Sequence, residues 1–277
     1  MSSRLPTGDG TVAVTGSGGR TDARTTADRG RCPCSAPADP GRARDRRPRR
    51  SPILGVPVLS ALTERLGLPR ERCPRIMVVG AHPDDAEIGA GGTIARLLAE
   101  RPDVEVAWLV LAAADPVRAA EARASAELLV AGAARVVVDV RDLRDTYLPY
   151  LGPSAKDAVA RHSAMDPDLV FSPRRDDAHQ DHRHVAELIP QVFRRAMILE
   201  YEIPKWDGDL GTANLYVPLT VLEASAKISH VQAAFPSQRE RDWFSDTTFL
   251  AILRLRGIEC RAADGLAEAF VCRKLVV

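Results

Sequence analysis

The chain has 277 residues, with 38 Lys plus Arg against 37 Asp plus Glu and a formal net charge of +1. So even a balance provides no global basic field to hold a nucleic-acid backbone, and nucleic acid is not an expected partner. No run of about 18 apolar residues occurs, so no membrane-spanning helix or integral membrane contact is expected, and the length suits one large α/β domain or two small ones.

The charge is divided along the chain. Residues 1–52 hold 11 Arg and 5 acidic residues, whereas the remainder holds 27 basic and 32 acidic residues. With seven Gly, six Pro and only Leu5, Val12 and Val14 as large aliphatics, the first segment has too little apolar surface to offset its ordering entropy. The expectation is a disordered extension over 1–52 and one domain over 53–277. Arg46-Arg47-Pro48-Arg49-Arg50 ahead of an apolar stretch invites comparison with a twin-arginine export signal. Glu64 and Arg65 interrupt that stretch and no small-residue cleavage site follows, so a solvated extension is the reading kept. Only four of the 38 basic residues are Lys, a bias of GC-rich bacterial genomes, and the expected biological start lies near residue 55. Five cysteines (32, 34, 73, 260 and 272) are too scattered for a disulfide framework, which points to a reducing, cytoplasmic compartment.

From residue 75, short β-branched runs alternate with helical stretches. Strands are expected over 75–80, 104–111, 135–140, 168–172 and 197–201, and helices over 91–100, 116–131, 157–165 and 184–195. A Gly-rich turn (Gly89, Gly91, Gly92) precedes the first helix. A Gly/Asp loop over 204–214, helices over 221–234 and 239–256, and a closing strand over 269–277 complete the pattern. The alternation predicts a Rossmann-like three-layer α/β sandwich with a mostly parallel sheet and right-handed crossovers.

In open α/β sheets chemistry sits at the carboxyl ends of the strands, and two polar clusters fall there. Ala81-His82-Pro83-Asp84-Asp85 follows the first strand, and His179-Gln180-Asp181-His182 comes shortly after the fourth. A catalytic zinc needs three His/Asp/Glu ligands and one open position. His82, Asp85 and His182 supply such a set if the turn returns Asp85 to His82 and the fourth-strand loop folds over them. Pro83 stiffens that turn. Adjacent Asp84 and Asp85 can then divide the work, one facing the metal and the other its water. Helix capping would account for both carboxylates, but for neither His82 nor the second cluster.

These residues resemble the LmbE-like or PIG-L zinc de-N-acetylases, a family that includes the enzyme acting on N-acetylglucosaminyl-phosphatidylinositol and bacterial deacetylases of thiol and antibiotic biosynthesis. The likeness rests on VVGAHPDDAEIGAGGTIARL from Val78 and SPRRDDAHQDHRHVAELI from Ser172, with Gln180 where Pro is common. It runs from about residue 74 to the end. It implies zinc ligands His82, Asp85 and His182, a general base at Asp84, and an oxyanion-stabilising, protonated His179 oriented by Asp181. The expected activity is removal of an N-acetyl group from an N-acetylglucosamine-type conjugate, an antibiotic or cell-envelope intermediate. The partner is then a small amino-sugar conjugate, and nothing opposes a homo-oligomer.

Arg118 resembles the Arg that family members carry at the start of the second helix, and Asp145 an acidic residue after the third strand; both are candidates for sugar hydroxyls. The alternative for Arg118 is an i,i+3 ion pair with Glu121. Trp206 suits stacking on a sugar face or covering a core edge. Asp177 stands where some thiol-pathway relatives have Tyr, and Phe235 where a His is frequent. His162, His184 and His230 read as structural. Two alternatives remain: a zinc amidohydrolase or esterase on a nonsugar substrate, and a nonenzymatic sugar- or nucleotide-binding module using the Gly-rich turn.

Overall fold

The computed structural model describes residues 61–275; the extension expected over 1–52 lies outside them. Strands β1 (Arg75–Gly80), β2 (Glu105–Val110), β3 (Arg135–Val140), β4 (Leu169–Pro173), β5 (Met197–Tyr201), β6 (Leu215–Leu219) and β7 (Leu266–Lys274) form one sheet in the order β3-β2-β1-β4-β5-β7-β6. The first five are parallel, and β7 runs antiparallel to β5 and β6. The helices are α1 (Leu62–Arg65), α2 (Asp85–Glu100), α3 (Pro116–Leu129), α4 (Gly152–Ala160), α5 (Gln180–Val192), α6 (Val221–Ala234) and α7 (Asp246–Glu259).

The three layers follow from the side-chain alternation of β1. Ile76 and Val78 enter one core with Leu97 of α2, Ala126 of α3, Val231 of α6 and Phe249 of α7; Met77 and Val79 enter the other with Val159 of α4 and Ile189 of α5. A strand covered on both faces reads as a nearly continuous apolar run, which is how RIMVVG reads. The chain leaves β1 toward β2 and β3 and then returns to its other side as β4. The β1/β4 border is therefore the topological switch point, where the carboxyl ends of both strands open one crevice.

Four boundaries differ from expectation for identifiable reasons. Helix α2 begins at Asp85 and absorbs the glycines expected in a turn. A Cβ at Gly89 would fall inside the Tyr201 ring, so this glycine lets α2 lie directly on β5, and packing overrides its poor helix propensity. Helix α5 begins at Gln180 with His179 as its N-cap, which puts Asp181 and His182 on a helical first turn instead of in a loop. Strand β6 lies where the sequence pattern assigns no element; it is a sheet edge, where its Pro218 is tolerated. Helix α7 begins only at Asp246, after a Ser245 cap that accepts the Thr248 N–H. Cys260 and Cys272 are free.

Helix α6 starts in a capping box: the Thr220 hydroxyl accepts the Glu223 N–H at 3.2 Å, and the Glu223 carboxylate accepts the Thr220 N–H at 2.7 Å. Arg96 of α2 also pairs with Glu223. Burial opposes the charged form, but Arg96 and the Thr220 donors prevail and hold the Glu223 pKa at about 2, below the usual 4.5. A depressed carboxylate stabilises the fold above its unfolded-state pKa and loses that contribution as pH falls through its folded-state value. The stability gap between parent and Glu223→Gln should therefore be full above pH 4.5 and close as pH falls toward 2, as read from urea unfolding. Gly89→Ala should lower stability by about 1–3 kcal/mol through overpacking against Tyr201, measurable from the same unfolding midpoints.

Candidate metal centre

The turn after β1 is tight because Gly80 has no side chain; a Cβ there would stand 2.9 Å from the His82 carbonyl oxygen. The His82 N–H donates to Asp85 Oδ2 at 2.8 Å, which brings Asp85 back beside His82. Across the switch point, His82 Nδ1 lies 3.1 Å from His182 Nε2. Asp85 Oδ2 lies 3.7 Å from the first nitrogen and 3.4 Å from the second. Ligands bonded at about 2.0–2.1 Å in a tetrahedral set stand roughly 3.3 Å apart, so this spacing suits such an ion.

Outer hydrogen bonds determine which nitrogens face inward. His182 Nδ1 is 2.9 Å from the Asp177 carboxylate, and His82 Nε2 is 3.1 Å from Asp181 and 3.0 Å from Asp145. Those carboxylates hold the outer ring nitrogens, so His82 Nδ1 and His182 Nε2 face the Asp85 oxygen. The space between these three atoms favours a positive charge, whether a proton or a metal cation. Burial opposes charge on both rings, yet the adjoining carboxylates raise their pKa values, His82's well above the ordinary value. Burial likewise opposes charge on Asp85, but His182 and His82 hold its carboxyl well below the carboxylate range.

Asp84 has a different environment. Its backbone is left-handed (φ 87°), and although it occupies the N-cap position of α2 its side chain makes no cap hydrogen bond, so capping does not account for it. Instead, its carboxylate accepts from Arg118 Nη2 at 3.0 Å, and the same guanidinium holds the Pro83 carbonyl at 2.6 Å. Burial raises the Asp84 pKa to about 7, with Arg118 pulling the other way and Asp85 adding to the rise. Beneath it, the buried Glu87 accepts from the Ser125 hydroxyl, which also meets His230 Nε2 at 2.9 Å.

His179 joins the cluster with its ring centroid 4.7 Å from that of His82. Its Nδ1 accepts the Asp181 backbone N–H at 3.2 Å, so the ring proton sits on Nε2. Burial, followed by the neighbouring histidines, lowers its pKa. Asp181 meets His179 through its backbone N–H, while its carboxylate binds His82 and the Leu148 N–H.

Among the expected substrate residues, Asp145 reaches the rim of the site through His82, and Arg118 is committed to Asp84 as well as to Glu121 at 3.4 Å. Trp206 is not drawn into the cluster; it donates to Asp242 and packs edgewise on Trp243. The adjoining Lys205 does reach it, bonding Asp177 at 3.0 Å and Asp209 at 2.8 Å. The sequence pattern did not mark Asp177 and Lys205 as supports of His182, because Asp177 meets the ring only once the loop after β4 turns into α5, and Lys205 comes from a separate loop.

The family model of PIG-L, GlcNAc-PI de-N-acetylase, matches residues 77–193, a span that contains both clusters. Over that span the chain is similar to the PIG-L (LmbE-like) family. Solved structures share its fold. An N,N'-diacetylchitobiose deacetylase from Pyrococcus horikoshii is 23% identical, covering 76% of this chain and 88% of its own with a TM-score of 0.56. A 4-carboxy-2-hydroxymuconate hydratase from Pseudomonas putida KT2440 is 16% identical, covering 74% and 98%, TM-score 0.57. A teicoplanin deacetylase in a zinc-inhibited form is 16% identical, covering 71% and 96%, TM-score 0.52. Asp177→Asn should weaken metal retention or activity by about 10–100-fold, as outer partners of metal-binding histidines do. Competition with a chromogenic chelator measures it.

Proposed function

We propose that this chain is a metal-dependent hydrolase removing the N-acetyl group from an N-acetylglucosamine-type conjugate, with His82, Asp85 and His182 as the metal ligands. The observation that carries the reading is the convergence of two imidazole nitrogens and a carboxylate oxygen beside a buried carboxylate, Asp84, that Arg118 keeps out of the set. A divalent ion such as zinc, when bound there, supplies Lewis acidity and a water acidic enough to react near neutral pH. The family model describes a de-N-acetylase, and the two deacetylases above share the fold.

The chain's own groups then have separate work. Asp84 takes the proton from the attacking water and returns it to the departing amine, which an amide needs because its anion is too basic to leave. His179 donates its Nε2–H toward the oxyanion. Arg118 keeps the Asp84 carboxylate aimed, and Asp145 at the rim meets sugar hydroxyls. Residues 53–277 are the catalytic domain in this reading.

The two adjacent aspartates provide the test. Asp85→Ala should lose metal and activity together. Asp84→Asn should keep its metal, read by elemental analysis, and lose about 10²–10⁴-fold in kcat. Near-native turnover by Asp84→Asn with metal bound would remove Asp84 as the base. Acetate release from a panel of N-acetylglucosamine conjugates identifies the substrate. Because a hydratase shares the fold, the panel should include nonsugar amides and esters; turnover of those alone would favour the nonsugar reading.

A further inference from the structure

Strand β3 ends the sheet, and no described element pairs with its outer edge. Edge strands are usually blunted by charged side chains, proline or a bulge; Arg-Val-Val-Val-Asp-Val has no proline or bulge, and its two charges are of opposite sign. Its apolar side chains are left in water: Val136 is 37% and Val137 43% exposed, and Leu128 on the helix leading into it is 69% exposed.

The backbone and the side chains of this edge are both self-complementary. The Glu105 and Leu111 N–H groups bond to β1, so 106, 108 and 110 turn toward β3, and the Arg141 N–H reaches the Val110 carbonyl at 2.8 Å. With the β2/β3 register, residues 137, 139 and 141 direct their backbone groups inward, and Val136 and Val138 direct theirs outward. A second β3 laid antiparallel about a two-fold axis at Val137 places Val136 opposite Val138 of the other copy as hydrogen-bonded pairs. Val137 then meets its own counterpart, and Arg135 faces Asp139 twice, in non-hydrogen-bonded pairs where side chains approach most closely. Arg135 is exposed and its side chain has no hydrogen-bond or ion-pair partner among the described residues, while Asp139 is held on the same face by Arg141 at 2.8 Å and His162 at 3.1 Å.

We infer that β3 is a homodimer interface, in which two copies join edge to edge into one continuous sheet about a two-fold axis at Val137. The symmetry is isologous, so the contact closes and does not propagate. It also points the carboxyl ends of the two sheets in opposite directions, so neither copy contributes to the other's metal centre.

Sedimentation velocity of the full chain over a concentration series tests this. The parent should be a dimer at micromolar concentration. Val137→Lys, which sets two ammonium groups against each other at the axis, should give monomers with unchanged circular dichroism and unchanged turnover per chain. Arg135→Asp should raise the dimer dissociation constant by about tenfold or more by reversing two charge pairs, with Arg135→Gln intermediate. Mixing Arg135→Asp with Asp139→Arg should restore a dimer that neither forms alone. If Val137→Lys fails to fold, the Arg135 series decides. A monomeric parent, or a parent dimer indifferent to the Arg135 charge, overturns the proposal.

Discussion

Three electron-pair donors, His82 Nδ1, His182 Nε2 and an Asp85 oxygen, face one another within 3.7 Å across the border between β1 and β4. In a buried setting such a cluster needs a positive charge among its members, supplied by a proton or a metal cation, and surrounding groups that hold it in place. Much of the nearby polar architecture does the holding. Asp177 and Asp181 take up the opposite ring nitrogens, Lys205 and Asp209 brace Asp177, and the His82 N–H clamps Asp85. The parallel pairing of β1 with β4 is what brings two loops a hundred residues apart to one crevice.

Neighbouring carboxylates in this turn are driven in opposite directions by what each one faces. Burial raises both. Two histidines more than compensate at Asp85, whereas Asp84 has one guanidinium and a like-charged neighbour, and stays near 7. Environments that separate the pKa values of paired groups are how one turn assigns a ligand and a base. The left-handed backbone of Asp84 costs about 1–3 kcal/mol for a residue with a side chain. Arg118 offsets this by holding both the Asp84 carboxylate and the Pro83 carbonyl.

The two ends of the sheet are finished differently. At the β6 end, Pro218 removes a backbone donor and the strand returns antiparallel to β7, so that edge resists pairing. At the β3 end the ladder stops with outward N–H and C=O groups and a run of valines. That asymmetry separates a surface built to stay in water from one fitted to another strand, and it lies on the far side of β2 from the chemistry.

Much of the fold was legible in the sequence because its elements have strong local periods. The parallel strands of the sheet are short β-branched runs, and β3 and α6 fall where their patterns end. The place of the candidate site was legible for a related reason: His82, Asp84 and Asp85 stand in a five-residue turn after a strand, and a strand's carboxyl end faces the crevice whatever the rest of the chain does. What the local pattern could not contain was any contact whose partner lies elsewhere. The glycines of α2 read as a turn until Tyr201 is placed against Gly89, and Arg118 reads as a surface partner of Glu121 until α3 is laid beside the β1 turn. The His179 tautomer depends on α5 starting one residue after it, and Asp177 supports His182 only once the loop after β4 has closed. The sequence by itself determined which polar residues stand at the strand ends; the tertiary structure alone decided which nitrogen, oxygen and backbone group each one presents, because orientation is set by hydrogen bonds that exist only once the loops and strands are packed together.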